Sequence, residues 1–237
     1  DSDMEWDRGL PWFRPVRTVH VVPGGEYGWR TGSRKWPAYA PESLPALSEV
    51  GRGSPTGVSV YKHHAYPEEY EEALFYADWS RGRILVGFQE KDGATYREET
   101  EEFVGGQPLN VTDIAIGPDG NLYFALGGRN TEGGIFRVVY EGETAGDGAG
   151  SGTPIQQAIA QPQPRTSWGR ARIEAYRDQM STANWASGLR EVAHDEEAPP
   201  IDRARALELL QVHGPGLEES LLIELKEAAA WQVRAAS

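Results

Sequence analysis

The first residues of the chain carry a high density of groups that can bind ions. Three carboxylates, Asp1, Asp3 and Glu5, fall within five residues, and Asp7 follows closely. Calcium takes about six to eight oxygen ligands, and closely spaced acidic side chains supply several of them. Asp1 and Asp3 are therefore candidate metal ligands. The alternative is that these acids are solvated, or that they pair with the arginines that follow them.

Those arginines are candidates for binding an anionic group. Arg14 and Arg17 lie in the segment "PWFRPVR", and Arg30 ends the Gly-rich segment "GGEYGWR". A guanidinium group matches a carboxylate with two parallel hydrogen bonds, so Arg14 and Arg17 are candidate cofactor-binding residues. The alternative for both is a structural salt bridge to a neighbouring acid, which is the interpretation that we favour for Arg30.

Composition excludes several function classes. The 237 residues carry a formal net charge of -13, and a basic face for nucleic acid is not visible. No stretch approaches the roughly 18 apolar residues that a membrane-spanning helix needs. The chain has no cysteine, which excludes disulfides, thiolate catalysis and zinc bound by cysteine. We therefore expect neither a nucleic-acid partner nor a membrane span.

The elements that must position these groups change character along the chain. Up to about residue 140, short β-branched and aromatic runs end at Gly, Pro, Asp or Asn, and "GPDGN" (117–121) and "EKDGA" (90–94) predict hairpin turns. Such antiparallel strands without helical signals suggest a sandwich, barrel or propeller. We predict the first domain over 1–140, with Asp78 capping a turn.

The remainder of the chain has the pattern of a linker followed by helices. Residues 141–165 are rich in Gly, Ser, Thr and Pro, and we predict a flexible linker there. Apolar residues then recur at helical spacing, and Asp202 is a candidate N-cap. Arg205 and Arg234, 29 residues apart, suggest a repeat. We predict HEAT-like α-helical repeats over 166–237, which need stacked neighbours to bury their apolar faces.

Several segments in order carry a resemblance to a known family. They are "DSDMEWD", "PWFRPVRTVHVVPGGEYGWR", "GSPTGVSVY", "ALFYADWSRGRI" and "VTDIAIGPDGNLYFALGGRNTEGGIFRVVY". Together they resemble the β-propeller of glucose/sorbosone dehydrogenases, and more closely the planctomycete-type "membrane-bound dehydrogenase domain" proteins with HEAT repeats. The resemblance implies a partial β-propeller, about three blades of a six-bladed ring, followed by an α-helical HEAT-like solenoid segment. It also implies that the chain is a fragment.

The family uses pyrroloquinoline quinone (PQQ) with calcium. The resemblance implies that Asp1 and Asp3 belong to the loop that helps to hold the calcium, and that Arg14 and Arg17 belong to the pocket. The family's catalytic base is expected upstream of residue 1. Its quinone-binding arginines are missing, because Asn110 and Thr112 stand at their positions. Arg129, in the adjacent "GGRN" segment, is a candidate substitute for cofactor binding.

These expectations define two functions of different classes. The first is a fragment of a PQQ- and calcium-dependent sugar or alcohol dehydrogenase-like protein, which acts on a carbohydrate-like small molecule and passes electrons to a c-type haem outside this chain. The second is a non-catalytic carbohydrate- or protein-binding propeller with a solenoid scaffold. In either case the helical repeats offer a surface for a protein partner. The resemblance implies an exported, periplasmic or cell-surface location.

Overall fold

The structure, a computed structural model, describes part of the chain in detail: residues 13–30, 34–37, 39–130, 132–142 and 152–237. The chain divides into unit 1, Asp1–Thr144, and unit 2, Ala145–Ser237. Each unit has its own cluster of buried apolar side chains.

Unit 1 is built from antiparallel strands. Their bounds are β1 Arg17–Thr18, β2 Trp29–Arg30, β3 Arg34–Lys35, β4 Ser48–Glu49, β5 Pro55–Val60, β6 Leu74–Asp78, β7 Arg83–Asp92, β8 Thr95–Gly105, β9 Val111–Ile116, β10 Leu122–Leu126 and β11 Gly134–Val138. Strands β5 to β8 form a four-stranded meander, and β9 to β11 form a three-stranded one. The short strands pair as β1 with β4 and β2 with β3.

Tight turns join the strands of each meander. The predicted turn at 117–121 connects β9 to β10, with Gly120 at a φ of +76°. The predicted turn at 90–94 connects β7 to β8, with Gly93 at a φ of +62°. Glycine populates this left-handed region without a steric cost, so both hairpins follow from local sequence.

The two meanders pack against each other through their first strands, β5 and β9. Tyr66, in the loop between β5 and β6, links the first meander to the second. Its hydroxyl donates to the Val138 carbonyl of β11 at 2.8 Å and accepts from the Leu122 amide of β10 at 2.9 Å. Tyr61 stacks on Tyr66 with ring centroids 4.7 Å apart. Neighbouring meanders with adjacent first strands are an arrangement found in propellers, and the propeller itself stays a prediction.

Two strands differ from the sequence-based expectation. The β-branched sequence at 16–22 is typical of a strand, but the structure has a strand only at Arg17–Thr18. Beyond it, the Tyr27 hydroxyl donates to the His20 carbonyl and accepts from the Val22 amide, which closes a loop instead. The sequence of strand β8 does not alternate between apolar and polar residues, and most of its side chains are exposed. It nevertheless pairs with β7 along its whole length.

Unit 2 contains six α-helices in its described residues. They are α1 Pro154–Ile159, α2 Ser167–Arg177, α3 Thr182–His194, α4 Pro200–His213, α5 Glu219–Leu225 and α6 Trp231–Ala236. The core surrounds the fully buried Trp185, with Leu189, Leu207 and Leu210 among the side chains packed there. No helix in the part of the chain that the structure describes is both long and apolar enough to cross a bilayer.

Helix α1 lies inside the segment 141–165, for which the sequence predicted a flexible linker. Thr153 and Gln156 form a capping box, in which each side chain bonds to the other residue's backbone amide. Ile155 and Ile159 are buried in the core of unit 2, so α1 is a packed element. The capping box and the apolar spacing of α1 were overlooked because the Gly, Ser and Pro residues around them are typical of a linker.

Helices α4 and α6 share a feature at their fourth residue. Arg203 Nε donates to the Ala193 carbonyl at the end of α3, and Arg234 Nη1 donates to the Ala228 and Ala229 carbonyls after α5. The structural counterpart of Arg234 is therefore Arg203 and not Arg205. Asp202 lies in the first turn of α4 and does not cap it, because the helix begins at Pro200 with Pro199 as N-cap.

Candidate functional site

A cavity of about 420 Å³ in unit 1 lies where the β1–β4 pair meets the four-stranded meander. Its polar lining residues are Arg17, Thr18, Thr56, Tyr76 and Gln89. Apolar side chains complete the wall, contributed by Val16, Val19, Leu47, Val50, Pro55, Val58 and Leu74. Mostly apolar walls with a few fixed polar groups are typical of small-molecule sites, and the volume lies in their range.

Glu98, on β8, fixes the polar side of this cavity. Its side chain is buried, with 7% of the residue exposed. Oε1 accepts from Thr18 Oγ1 at 2.8 Å and from Ser48 Oγ at 2.6 Å. Oε2 accepts from Gln89 Nε2 at 2.9 Å. Charge-assisted bonds of this kind hold their donors in one orientation, so Glu98 is a positioning residue for Thr18 and Gln89.

Gly87 makes room for this carboxylate. A Cβ at Gly87 would lie 2.6 Å from the Glu98 Cδ atom, so a larger residue on β7 would displace the side chain. Tyr76, on the neighbouring strand β6, places its hydroxyl 3.1 Å from Thr100 Oγ1 and 3.5 Å from Glu98 Oε1. Burial raises the pKa of the Tyr76 hydroxyl, which therefore stays protonated at neutral pH.

Several polar side chains that line the cavity have their donor groups committed elsewhere. Thr18 gives its proton to Glu98, and Thr56 Oγ1 gives its proton to the Val111 carbonyl at 2.8 Å. Gln89 uses an amide N–H on Glu98, which leaves its carbonyl oxygen as an acceptor. A hydroxyl has one proton and two lone pairs. Thr18 Oγ1 already accepts from the Ser48 amide at 3.2 Å, so Thr18 keeps one lone pair and Thr56 keeps two.

Of the predicted cofactor-binding arginines, Arg17 lines the cavity. It is 1% exposed, and its Nη2 donates to the Tyr27 carbonyl at 2.9 Å. Arg14 is also buried but does not line the cavity. Burial lowers the pKa of both guanidinium groups, and the Glu49 carboxylate partly opposes this effect.

Arg129, the third candidate, does not line this cavity but contacts Trp79. Its guanidinium group stacks over the Trp79 ring, 5.4 Å from the centroid. Trp79 Nε1 donates to the Gly127 carbonyl at 2.8 Å, and Asn110 Nδ2 donates to the Trp79 carbonyl at 2.9 Å. Thr112 Oγ1 donates to the Ala125 carbonyl at 3.1 Å. Asn110 and Thr112 therefore support backbone in the structure.

The predicted metal ligands Asp1 and Asp3 lie outside the described residues, as do Glu5 and Asp7. Among the residues that are described, no group of three or more His, Cys, Asp or Glu side chains is arranged to hold a metal ion. Asp78, in contrast, occupies its predicted place in a turn. It accepts from the Ser54 amide at 2.8 Å and pairs with Arg83 at 3.2 Å.

Sequence reasoning missed Glu98, Tyr76 and Gln89. Tyr76 lies in a predicted strand, but nothing in the segment "ALFYAD" marks its hydroxyl as part of a site. Glu98 is one of four glutamates within five residues of β8, and the partners that distinguish it come from β1 and β4. A signal for these residues exists only in the tertiary structure.

Comparison with known proteins gives a coarse similarity. No family model matches the sequence, and no curated protein matches it. One similar solved structure is a Thermus thermophilus protein described as an oxidoreductase (glucose dehydrogenase), at 20% identity and a TM-score of 0.38. The match covers 49% of this chain and 34% of that chain, so this chain spans about a third of that protein's length.

Proposed function

We propose that unit 1 binds a sugar or a similar polyol, as part of a β-propeller of the glucose/sorbosone dehydrogenase type. One observation carries the proposal: the polar side chains Thr18, Thr56 and Gln89 line the cavity while a donor group of each is committed to Glu98 or to backbone. A polyol brings several O–H donors, and these match acceptors that are already oriented. The order of sequence segments and the paired meanders support the propeller type.

Arg17 also lines the cavity, and a guanidinium group carries N–H donors and no acceptor. A sugar hydroxyl donates and accepts together, so a lining with both kinds of group suits it better than it suits an apolar alcohol. The apolar wall matches the C–H face of a sugar ring. The proposed ligand is therefore neutral and polyhydroxylated.

The arginines that the structure describes do not converge as PQQ would need. The quinone has three carboxylates, which need convergent cations, and of Arg14, Arg17 and Arg129 only Arg17 lines the cavity. Asn110 and Thr112 are occupied with backbone carbonyls. We therefore derive no oxidation step through PQQ. These contacts favour a second candidate, a carbohydrate-binding propeller without catalysis.

Calorimetric titration of glucose into the full chain tests the proposal. We expect saturable binding, and about tenfold weaker binding by Tyr76→Phe, which removes one lining hydroxyl. Tyr96→Phe is the matched control, because Tyr96 lies on β8 and does not line the cavity. Cyclohexanol, which has one hydroxyl, should bind much more weakly than glucose.

Two results would overturn the proposal. One is the absence of saturable glucose binding by a folded chain. The other is an equal loss of affinity in Tyr76→Phe and Tyr96→Phe, which would locate the sugar elsewhere. An affinity for cyclohexanol as high as for glucose would identify the cavity as an apolar site.

A further inference from the structure

A second cavity, in unit 2, collects positive charge on a strongly acidic chain. It has a volume of about 370 Å³ and lies between α2, α4 and the segment that precedes α2. Arg165, Arg170 and Arg205 line it, together with His213 and one carboxylate, Glu208. The whole chain has a formal net charge of -13, so three arginines around one cavity depart strongly from its average.

Glu208 neutralises only part of this charge. Its Oε1 lies 3.0 Å from Arg165 Nε, and its Oε2 lies 3.8 Å from Arg205 Nε. Arg170 is exposed, and its side chain has neither a hydrogen bond nor an ion pair in the part of the chain that the structure describes. Three guanidinium groups and one carboxylate leave a formal surplus of two positive charges at the cavity.

Arg205 is held there at an energetic cost. Its Nη1 atom is buried without a hydrogen-bond partner among the described residues. Burial lowers the pKa of this guanidinium group, and Arg165 adds to the effect, whereas the Glu208 and Asp202 carboxylates oppose it. Like charges around a cavity repel one another, and a bound anion reduces that repulsion. The positive charge of the arginines around this cavity is therefore only partly compensated.

We propose that this cavity binds a small molecule through a doubly charged oxyanion, such as a phosphate group. A phosphate dianion balances the surplus of two positive charges, and guanidinium forks match its oxygens. The cavity is large enough for a group attached to the phosphate. This site is independent of the sugar cavity, because it lies wholly in unit 2.

The test is calorimetric titration of the full chain with sodium phosphate at constant ionic strength and neutral pH. We expect saturable binding that weakens about tenfold in Arg170→Gln, since a charge-assisted hydrogen bond is lost. Arg172→Gln is the matched control, because Arg172 is on the same helix but stacks over Trp168, 5.3 Å from the ring centroid. Arg205→Gln should weaken binding as well. If Arg205→Gln unfolds because Arg205 is buried, Arg170→Gln still tests the proposal.

Each arm has an outcome that overturns the proposal. No saturable phosphate binding by the folded wild-type chain would overturn it, and so would an equal loss of affinity in Arg170→Gln and Arg172→Gln. A titration with acetate tests the charge argument. If acetate binds as tightly as phosphate, the cavity takes a monocarboxylate and the match to a dianion is wrong.

Discussion

At the scale of single residues, Glu98 is the centre of a buried polar network in unit 1. Four hydroxyls, from Thr18, Ser48, Tyr76 and Thr100, lie within 3.5 Å of its Oε1 atom, and the Gln89 amide bonds to Oε2. Buried donors that lose their acceptor cost more than the bond was worth, because water does not replace it. Glu98 therefore couples stability to the shape of the sugar cavity.

Glu98→Ala should lower the free energy of unfolding of unit 1 by about 2–4 kcal/mol, since several buried donors lose their acceptor together. Urea denaturation followed by tryptophan fluorescence measures this change. Glu99→Ala is the control, because Glu99 is the adjacent, exposed residue on β8. A cost for Glu98→Ala no larger than for Glu99→Ala would mean that the hydroxyls find water instead.

His213 gives a second residue-scale prediction, on pH. It is 8% exposed, and burial lowers its pKa, with Arg177 and Arg170 acting in the same direction and Glu174 and Glu208 opposing. In the unfolded chain the pKa of this histidine is about 6.5, whereas in the folded chain its pKa is lower. The stability of unit 2 should therefore be full above about pH 6.5 and fall as the pH is lowered through the folded-state pKa.

Thermal unfolding followed by circular dichroism at 222 nm measures this effect, because the described α-helices all lie in unit 2. His213→Gln should flatten the decline in midpoint below pH 6.5. The control is His194→Gln, since His194 is exposed and pairs with Glu224 at 3.6 Å. An unchanged pH profile in His213→Gln would assign the decline to other groups.

The sequence could identify residues whose role is local. Asp78 bonds to the Ser80 hydroxyl and the Arg81 amide within its own turn, and the turn pattern around it predicted this role. Glu98 could not be found in this way, because its partner Thr18 is 80 residues away in the chain. Contacts of this range depend on which strands meet, and strand pairing is not encoded in any short segment.

At the scale of elements, the same distinction holds. Strands β9 and β10 have a clear local signal, because the turn predicted at 117–121 joins them in the structure. Strand β8 follows the turn predicted at 90–94, but its charged sequence has no strand pattern of its own, and its pairing with β7 supplies the order. Helix α1 was missed because Thr153 and Gln156 are common linker residues until they cap a helix.

The contact between β5 and β9 gives a prediction at this scale. A Cβ at Gly57 would lie 2.4 Å from the Ile114 amide nitrogen, and backbone cannot move away as a flexible side chain does. Gly57→Ala should therefore lower the free energy of unfolding of unit 1 by about 1–3 kcal/mol through overpacking. Urea denaturation followed by tryptophan fluorescence is again the measurement.

Gly133→Ala is the matched control for this substitution. The nearest atom to its new Cβ would be the Leu126 carbonyl oxygen at 3.5 Å, which is an ordinary contact. Equal stability of Gly57→Ala and the wild-type chain would mean that β5 and β9 are farther apart in solution, and the two meanders would not be held as the structure has them.

At the scale of the whole molecule, two units of different composition each have a cavity with its own chemistry. The shift from Gly- and aromatic-rich to Ala- and Leu-rich sequence located the change near residue 140, and the units divide at Thr144 and Ala145. The sugar cavity combines a buried carboxylate with acceptor hydroxyls, whereas the cavity of unit 2 has a surplus of guanidinium groups. We therefore expect a neutral ligand in unit 1 and an anionic one in unit 2.

The last prediction concerns PQQ, which the family resemblance implies and the contacts oppose. A trianionic quinone meets a chain of net charge -13, and Arg17 is the one candidate arginine that lines the sugar cavity. Arg129 is stacked on the Trp79 ring and does not line the sugar cavity. Titration of PQQ with calcium should therefore produce no saturable, calcium-dependent quenching of the chain's eight tryptophans. Saturable quenching that is lost in Arg17→Gln and kept in Arg172→Gln would establish a quinone site at the cavity.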